Sequence, residues 1–146
     1  MYTLDGHILQ QVQINLYLGL QISEDLKWTT HITNVAKKAN STLGFLRRNL
    51  RFCPKECKKT ACISLVRSTM EYRAIVWDPY TSNINNLERI QRRAARFITG
   101  DYKTREEGSV TKMLNDLKLE NLQLRRTSLR LVFLYKVVEG LVPESF

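Results

Sequence analysis

The sequence predicts a mainly α-helical protein: a short N-terminal β-hairpin followed by a bundle of about five helices. Three observations predict it. Apolar residues alternate at strand period only near the N-terminus, and from Leu26 onward they recur at the spacing of a helical face. Prolines and glycines then divide the remainder, with Pro54 at a start, Pro79 in a break, and Gly100 and Gly140 at the stops. Finally, 146 residues with 43% hydrophobic content suffice for one domain with a core.

Residues 1–25 read as the hairpin and residues 26–146 as the helical region. Ile8 to Ile14 and Tyr17-Leu18-Gly19-Leu20-Gln21-Ile22 form two extended runs, with Asp5-Gly6 as a tight turn ahead of them. The first helix carries Trp28, Ile32, Val35, Ala36, Ala39, Leu43, Leu46 and Leu50 within one sector of about 100° and ends near Phe52. Trp28 belongs to that core face. Pro54 suits the first turn of a second helix that runs to about Tyr72 or Ile75 and has apolar residues on two sides. Val76-Trp77-Asp78-Pro79-Tyr80 breaks the pattern, because proline disfavours helix at the residue before it.

A third helix spans about Ile84 to Ile98 and stops at Gly100. A short fourth has Ser109 as its N-cap. The fifth runs from about Glu120 to Glu139, with Leu122, Leu129, Phe133 and Val137 on one side and Leu124, Leu131, Leu134 and Val138 on the other. A helix apolar on two sides requires burial on both, which points to a neighbour beyond the other helices of so short a chain.

The 23 Lys and Arg exceed the 14 Asp and Glu, a formal charge of +9 that points to a polyanionic partner. That charge is segregated. Residues 1–26 hold Asp5, Glu24 and Asp25 and no base, a formal −3, so the 23 bases and the other 11 acids give residues 27–146 a formal +12. No apolar run approaches the roughly 20 residues of a membrane span, and the N-terminus lacks a secretory pattern, so the expectation is a soluble, intracellular protein with no membrane partner. Cys53, Cys57 and Cys62 are odd in number and form no CxxC pair, and His7 and His31 stand at no zinc spacing from them. Neither a disulfide framework nor a zinc site is expected.

Opposite the apolar stripe of the first helix, Lys37, Ser41, Gly44, Arg48 and Arg51 occupy the i, i+4, i+7, i+11, i+14 positions and stack on one face. The small residues at its centre let a rod such as a duplex approach the helix axis, while the cations reach phosphates on either side. The plain alternative is a solvated surface, against which stands the cost of about 1 kcal/mol for glycine inside a helix. On the third helix Arg89, Arg92, Arg93 and Arg96 repeat the pattern without an intervening acid. Such cations repel unless phosphates, or Glu88, Glu106 and Glu107, neutralise them. Arg47-Arg48 and Arg125-Arg126 are weaker signals. The sequence holds no glycine-rich phosphate loop, no Ser/His/Asp set in plausible order and no clustered carboxylates, so no catalytic residue, metal ligand or cofactor is assigned.

Taken together, Tyr17-Leu18-Gly19-Leu20, Ser23-Glu24-Asp25-Leu26-Lys27-Trp28, Leu43-Gly44-Phe45-Leu46-Arg47-Arg48-Asn49-Leu50, Val76-Trp77-Asp78-Pro79-Tyr80 and Gln91-Arg92-Arg93-Ala94-Ala95-Arg96-Phe97 resemble the C-terminal part of jockey-type non-LTR (LINE-type) retrotransposon reverse transcriptases. The resemblance covers nearly the whole chain. It implies that Tyr17, Leu18, Gly19 and Leu20 end a primer-grip hairpin and that the helices form the thumb and its C-terminal extension. The catalytic aspartates, and the magnesium they hold, would belong to an upstream palm. Ser68 and Arg73 depart from the family pattern, which usually has proline and a small residue there. The resulting expectation is a fragment of an RNA-directed DNA polymerase that is not an enzyme by itself. It would hold the backbone of RNA, DNA or their hybrid, with the upstream palm as a further partner and the nucleus or a ribonucleoprotein as its place. The competing expectation is a helical protein-interaction module that docks a partner through its second and fifth helices.

Overall fold

The structure is a computed structural model and describes residues 2–142. It is mainly helical, with two short antiparallel hairpins followed by five helices. The hairpins pair β1 (Thr3–Leu4) with β2 (His7–Ile8) and β3 (Ile14–Tyr17) with β4 (Leu20–Ser23). The helices are α1 (Thr29–Asn49), α2 over residues 55–71, α3 (Thr81–Thr99), α4 (Ser109–Asp116) and α5 (Leu122–Val138).

Two hairpins replace the one expected, and neither extended run is continuous. Residues 9–13 lie outside the strands, and Tyr17 to Ile22 is broken at Leu18-Gly19, where φ is 49° and 81°. A two-residue turn in the left-handed region preserves the alternation of Leu18, Leu20 and Ile22, so periodicity does not reveal it. The Tyr17-Leu18-Gly19-Leu20 segment is therefore a tight turn with one strand residue on each side. Asp5-Gly6, with φ of 49° and 77°, makes the expected turn of the first hairpin.

The second hairpin docks through few atoms. Leu20 is buried, the Gln21 N–H donates to Nδ1 of His31 at 3.3 Å, and the Tyr72 hydroxyl donates to the Leu18 carbonyl at 3.2 Å. A Cβ on Gly19 would meet the Tyr72 ring at 3.2 Å, so glycine there serves both the turn and the close approach.

The core lies between α1, α2 and α3. Ile32, Ala36, Ala39, Leu43 and Leu46 of α1 are buried with Cys62, Val66 and Met70 of α2 and with Leu87, Ile90, Ala94, Ala95 and Ile98 of α3. Each buried Ile or Leu contributes about 1.5–3 kcal/mol. Met113, Leu117, Leu119 and Leu122 close one end. Trp28 is half-buried against this cluster, whereas Trp77 is fully buried and donates its Nε1–H to the Tyr72 carbonyl at 2.9 Å.

Helix α2 is α-helical at Lys55–Ala61 and Ser68–Glu71, with a π-helical stretch Cys62–Arg67 between them. Its buried residues Cys62, Val66 and Met70 recur every four positions, a spacing that drifts about 40° per step on an α-helix. The wider π turn, in which the Ser68 N–H donates to the Ile63 carbonyl, takes up that drift and keeps the three side chains inward. The second apolar side expected for this helix is not covered: Cys57, Leu65 and Tyr72 lie at the surface. Burial pushes the Cys62 thiol up to about 11.

Helix ends differ slightly from expectation. Pro54 is the N-cap of α2 rather than part of its first turn, and Gly108, with φ of 79°, precedes Ser109, which is already helical. Gly100 stops α3 in the left-handed conformation as expected. The Asn121 side chain caps α5 by accepting from the Gln123 and Leu124 N–H groups. Only the first turns of α5 pack against the bundle. Residues 131–141 are exposed on every side, Leu131, Val132, Phe133, Leu134, Tyr135, Val137 and Val138 among them, so neither apolar side has the cover expected for it. Among the described residues, no helix is long and apolar enough to cross a membrane.

Candidate nucleic-acid interface

The apolar face of α1 is fixed in the core, so its opposite stripe is turned outward. Lys37, Ser41 and Arg48 are exposed and Gly44 is half-buried; Arg51, expected on the same face of a helix reaching Phe52, instead lies exposed in the turn after α1 ends at Asn49. Helix α3 lies beside α1 with the same sense: Arg93 donates to Oδ1 of Asn40 at 3.2 Å, and one turn later Phe97 meets the wall that holds Gly44. The two basic faces expected from the sequence therefore meet where Arg93 reaches Asn40. Arg89, Arg92 and Arg93 are placed along α3, with Arg92 and Arg93 fully at the surface.

At the C-terminal ends of α1 and α3 lies a cleft of about 600 Å³. Gly44, Arg47, Arg48, Arg51, Lys58, Phe97, Gly100 and Tyr102 line it. Four cations therefore converge, and no carboxylate is among the lining residues. Three sit on aromatic rings: the Arg47 guanidinium lies 5.4 Å from the centre of the Tyr102 ring, the Lys58 ammonium 5.3 Å from that of Phe97, and the Arg51 guanidinium 5.4 Å from that of Phe52, which is not among the lining residues. The Arg48 guanidinium folds back over Gly44, 3.5 Å from where a Cβ would stand. None of the ion pairs among the described residues engages Arg47, Arg48, Arg51, Lys58 or any cation of the α3 face.

Arg96 is half-buried and is engaged differently from its three neighbours. Its Nη1 and Nη2 donate to the carbonyls of Asp101 and Thr104 at 3.1 and 3.0 Å. The Asp101 carboxylate in turn accepts the backbone N–H groups of Lys103 and Thr104, both at 3.0 Å. Hydrogen bonds from Thr104 and Lys103 and the charge of Arg96 hold the Asp101 carboxyl below its ordinary range. These bonds fix the loop that carries Tyr102 into the cleft, so Arg96 shapes the wall instead of presenting a free donor. Glu88, Glu106 and Glu107 do not neutralise the α3 arginines: Glu88 accepts the Gln123 N–H at 3.2 Å, and Glu106 and Glu107 line a separate depression with Asp101, Lys112 and Asp116.

Lys58 and Tyr102 carry no signal of their own in the sequence. Tyr102, two residues past the glycine that stops α3, is placed by the chain turning back at that stop. Lys58 enters because the start of α2 packs on α3.

The arginines of α5 have acceptors that those of the cleft lack. Arg125 forms an ion pair with Glu71, with Nη2 to Oε2 at 3.1 Å, and the hydrogen bond from Arg125 to Glu71 holds the arginine's pKa up. Arg130 donates to Asp78 and to the Trp77 carbonyl, at 2.5 and 3.3 Å. Arg126 is fully buried, with its guanidinium 5.7 Å from the centre of the Trp77 ring and bonded to Oε1 of Gln123. Burial lowers its pKa.

Among the described residues, no group of three His, Cys, Asp or Glu side chains is placed to hold a metal ion. In comparison with known proteins, no family model, curated protein or solved structure matches the chain.

Proposed function

We propose that the chain binds nucleic acid through its phosphate backbone, without reading sequence, along the basic faces of α1 and α3. The observation that carries this is the convergence of Arg47, Arg48, Arg51 and Lys58 in one cleft that no carboxylate lines, with Lys37 on α1 and Arg89, Arg92 and Arg93 on α3 exposed as further cations. Cations left unpaired at such density repel one another, and a polyanion relieves that repulsion. Ser41 and Gly44 keep the centre of the α1 stripe low, which favours a broad partner. Beside this, the residue pattern resembling jockey-type reverse transcriptases supports a reading of the chain as the thumb and post-thumb helices of an RNA-directed DNA polymerase. In that reading it acts by positioning template and primer, and the chemistry belongs to a palm.

The test is the salt dependence of binding to duplexes of unrelated sequence. About six phosphate contacts predict roughly a thousandfold loss of affinity between about 50 and 200 mM salt. An affinity unmoved by salt refutes the proposal. The same preparation, given primer, template, nucleotides and magnesium, is expected to extend nothing, and template-dependent extension overturns the positioning role.

A second reading has its own observation. Residues 131–141 of α5 and its exit expose a nearly all-apolar surface in which Lys136 is the one charge before Glu139. Such a helix suits burial against another protein. Association through it would persist at high salt and vanish when Leu131, Leu134 and Val138 are replaced by polar residues.

A further inference from the structure

We propose that the cleft between α1, α2 and α3 is a seat for a compact polyphosphate group, as carried by the 5′ end of a strand or by a free nucleotide. The inference deepens the backbone-binding reading and rests on it for the sign of the ligand. Internal phosphodiesters each carry one negative charge and are spread along a strand, a pattern met by the outward cations of a helical stripe such as Lys37, Arg89 and Arg92. The cleft is arranged differently. Arg47 and Arg48 come from α1, Arg51 from the turn after it and Lys58 from α2, and the four share one concavity of about 600 Å³, within the size range of small-molecule sites. Their combined formal charge of +4 exceeds what a single diester neutralises. A terminal phosphate carries about −1.5 to −2, and further phosphates in a chain bring the total near the charge of the cleft.

The walls are built for this. Tyr102 and Phe97 support Arg47 and Lys58 through their ring faces, which holds the two cations in place without supplying a counter-charge. Gly100 contributes no side chain, and a Cβ at Gly44 would meet only the Arg48 guanidinium, so the floor stays open. The Tyr102 loop is pre-set by Arg96 and Asp101. Preorganised donors of this kind lose little entropy when an anion arrives.

The experiment uses the full chain at fixed ionic strength. Inorganic tripolyphosphate, inorganic phosphate and ATP are titrated calorimetrically, and one single-stranded RNA of fixed sequence is compared with 5′-triphosphate, 5′-monophosphate and 5′-hydroxyl ends. Tripolyphosphate is expected to bind at least about tenfold tighter than phosphate, a difference of roughly 1.4 kcal/mol. If the natural source is a strand end, the 5′-triphosphate RNA binds about tenfold tighter than the 5′-hydroxyl RNA; if it is a free nucleotide, ATP matches tripolyphosphate and the RNA ends differ little. Lys58→Ala is expected to remove the preference, and Lys112→Ala, an exposed cation on α4 outside the cleft, to retain it. Gly44→Leu fills the cleft without removing a charge and guards against a Lys58 variant that fails to fold; it too is expected to lose the preference. Equal affinities for tripolyphosphate and phosphate, with no preference among RNA ends, overturn the proposal. Should salt-dependent duplex binding persist in that case, the backbone reading stands alone; if it is absent as well, both fail.

Discussion

Two clusters of arginine in this chain face opposite situations. Around the cleft, Arg47, Arg48 and Arg51 point into an open concavity with Lys58 and meet no carboxylate. On α5, Arg125, Arg126 and Arg130 are bound to Glu71, Gln123 and Asp78, and Arg126 lies over the ring of the fully buried Trp77 while Arg130 also donates to its carbonyl. Arg47-Arg48 and Arg125-Arg126 are the same dipeptide in the sequence. What separates them is the acceptor supplied by another element: α5 meets acids and amides, and the end of α1 meets only rings and glycines. Charge counted along a chain therefore overstates the charge available to a ligand, and an arginine without an acceptor is the better marker of a binding face.

The largest effect that would break this comparison lies at Arg126. Arg126→Ala should lower stability by about 2–4 kcal/mol in urea denaturation, because a fully buried side chain leaves a cavity beside Trp77. Arg126→Met should recover most of that loss, since an apolar stem of similar length fills the space without a buried charge. Duplex affinity should not change in either variant. A loss below about 0.5 kcal/mol in the alanine variant would make Arg126 an ordinary surface residue.

Glu71→Gln comes next, at about 1–3 kcal/mol, because the mostly buried Arg125 and Arg67 would both lose a carboxylate. Its mirror image in the cleft sharpens the contrast. Arg48→Ala or Arg51→Ala should leave stability within about 0.5 kcal/mol, weaken duplex binding several-fold and flatten the salt slope by about 0.9 for each contact removed. A cleft variant that lost stability instead of affinity would show that these cations belong to the scaffold.

The smallest predicted effect concerns pH and the docking of the second hairpin. His31 is buried between Trp28 and Trp77, accepts the Gln21 N–H at Nδ1, and is held below its ordinary 6.5 by burial. A histidine with a lowered folded pKa favours the neutral form in the fold. Its contribution is complete above 6.5 and is lost as pH falls through the folded value. Stability should therefore decline as pH falls below 6.5, and His31→Gln should flatten that part of the profile. An unchanged slope in the variant assigns the decline to carboxylates.

Much of the fold is legible in local patterns of residues. The α1 stripe from Ile32 to Leu46, the stop at Gly100 and the turn at Asp5-Gly6 arise from local rules of periodicity and backbone freedom, and all three occur in the structure. The turn at Leu18-Gly19 is hidden because a two-residue turn leaves the alternation of its neighbours intact. The π stretch of α2 is hidden because its cause, the four-residue spacing of Cys62, Val66 and Met70 against one wall, exists only once that wall is present. Of the candidate interface, the outward position of Lys37, Ser41, Gly44 and Arg48 is readable from helical phase, whereas Arg51 falls in the turn after α1 ends at Asn49. The separate duty of Arg96 is not, since its acceptors are carbonyls of a loop whose path no pattern announces.

By itself, the sequence determined most of the residues that face inward on α1 and α3, where most helices stop, and that an excess of positive charge sits after residue 26. These are properties of neighbours within a few turns, and backbone geometry transmits them directly. The tertiary structure decided which of the cations remain unpaired, that Lys58 and Tyr102 join Gly44 and Arg48 around one cleft, and that the end of α5 is left uncovered. Those outcomes depend on residues such as Lys58 and Phe97, or Glu71 and Arg125, meeting across dozens of positions, and only packing of the whole chain brings them within reach of one another.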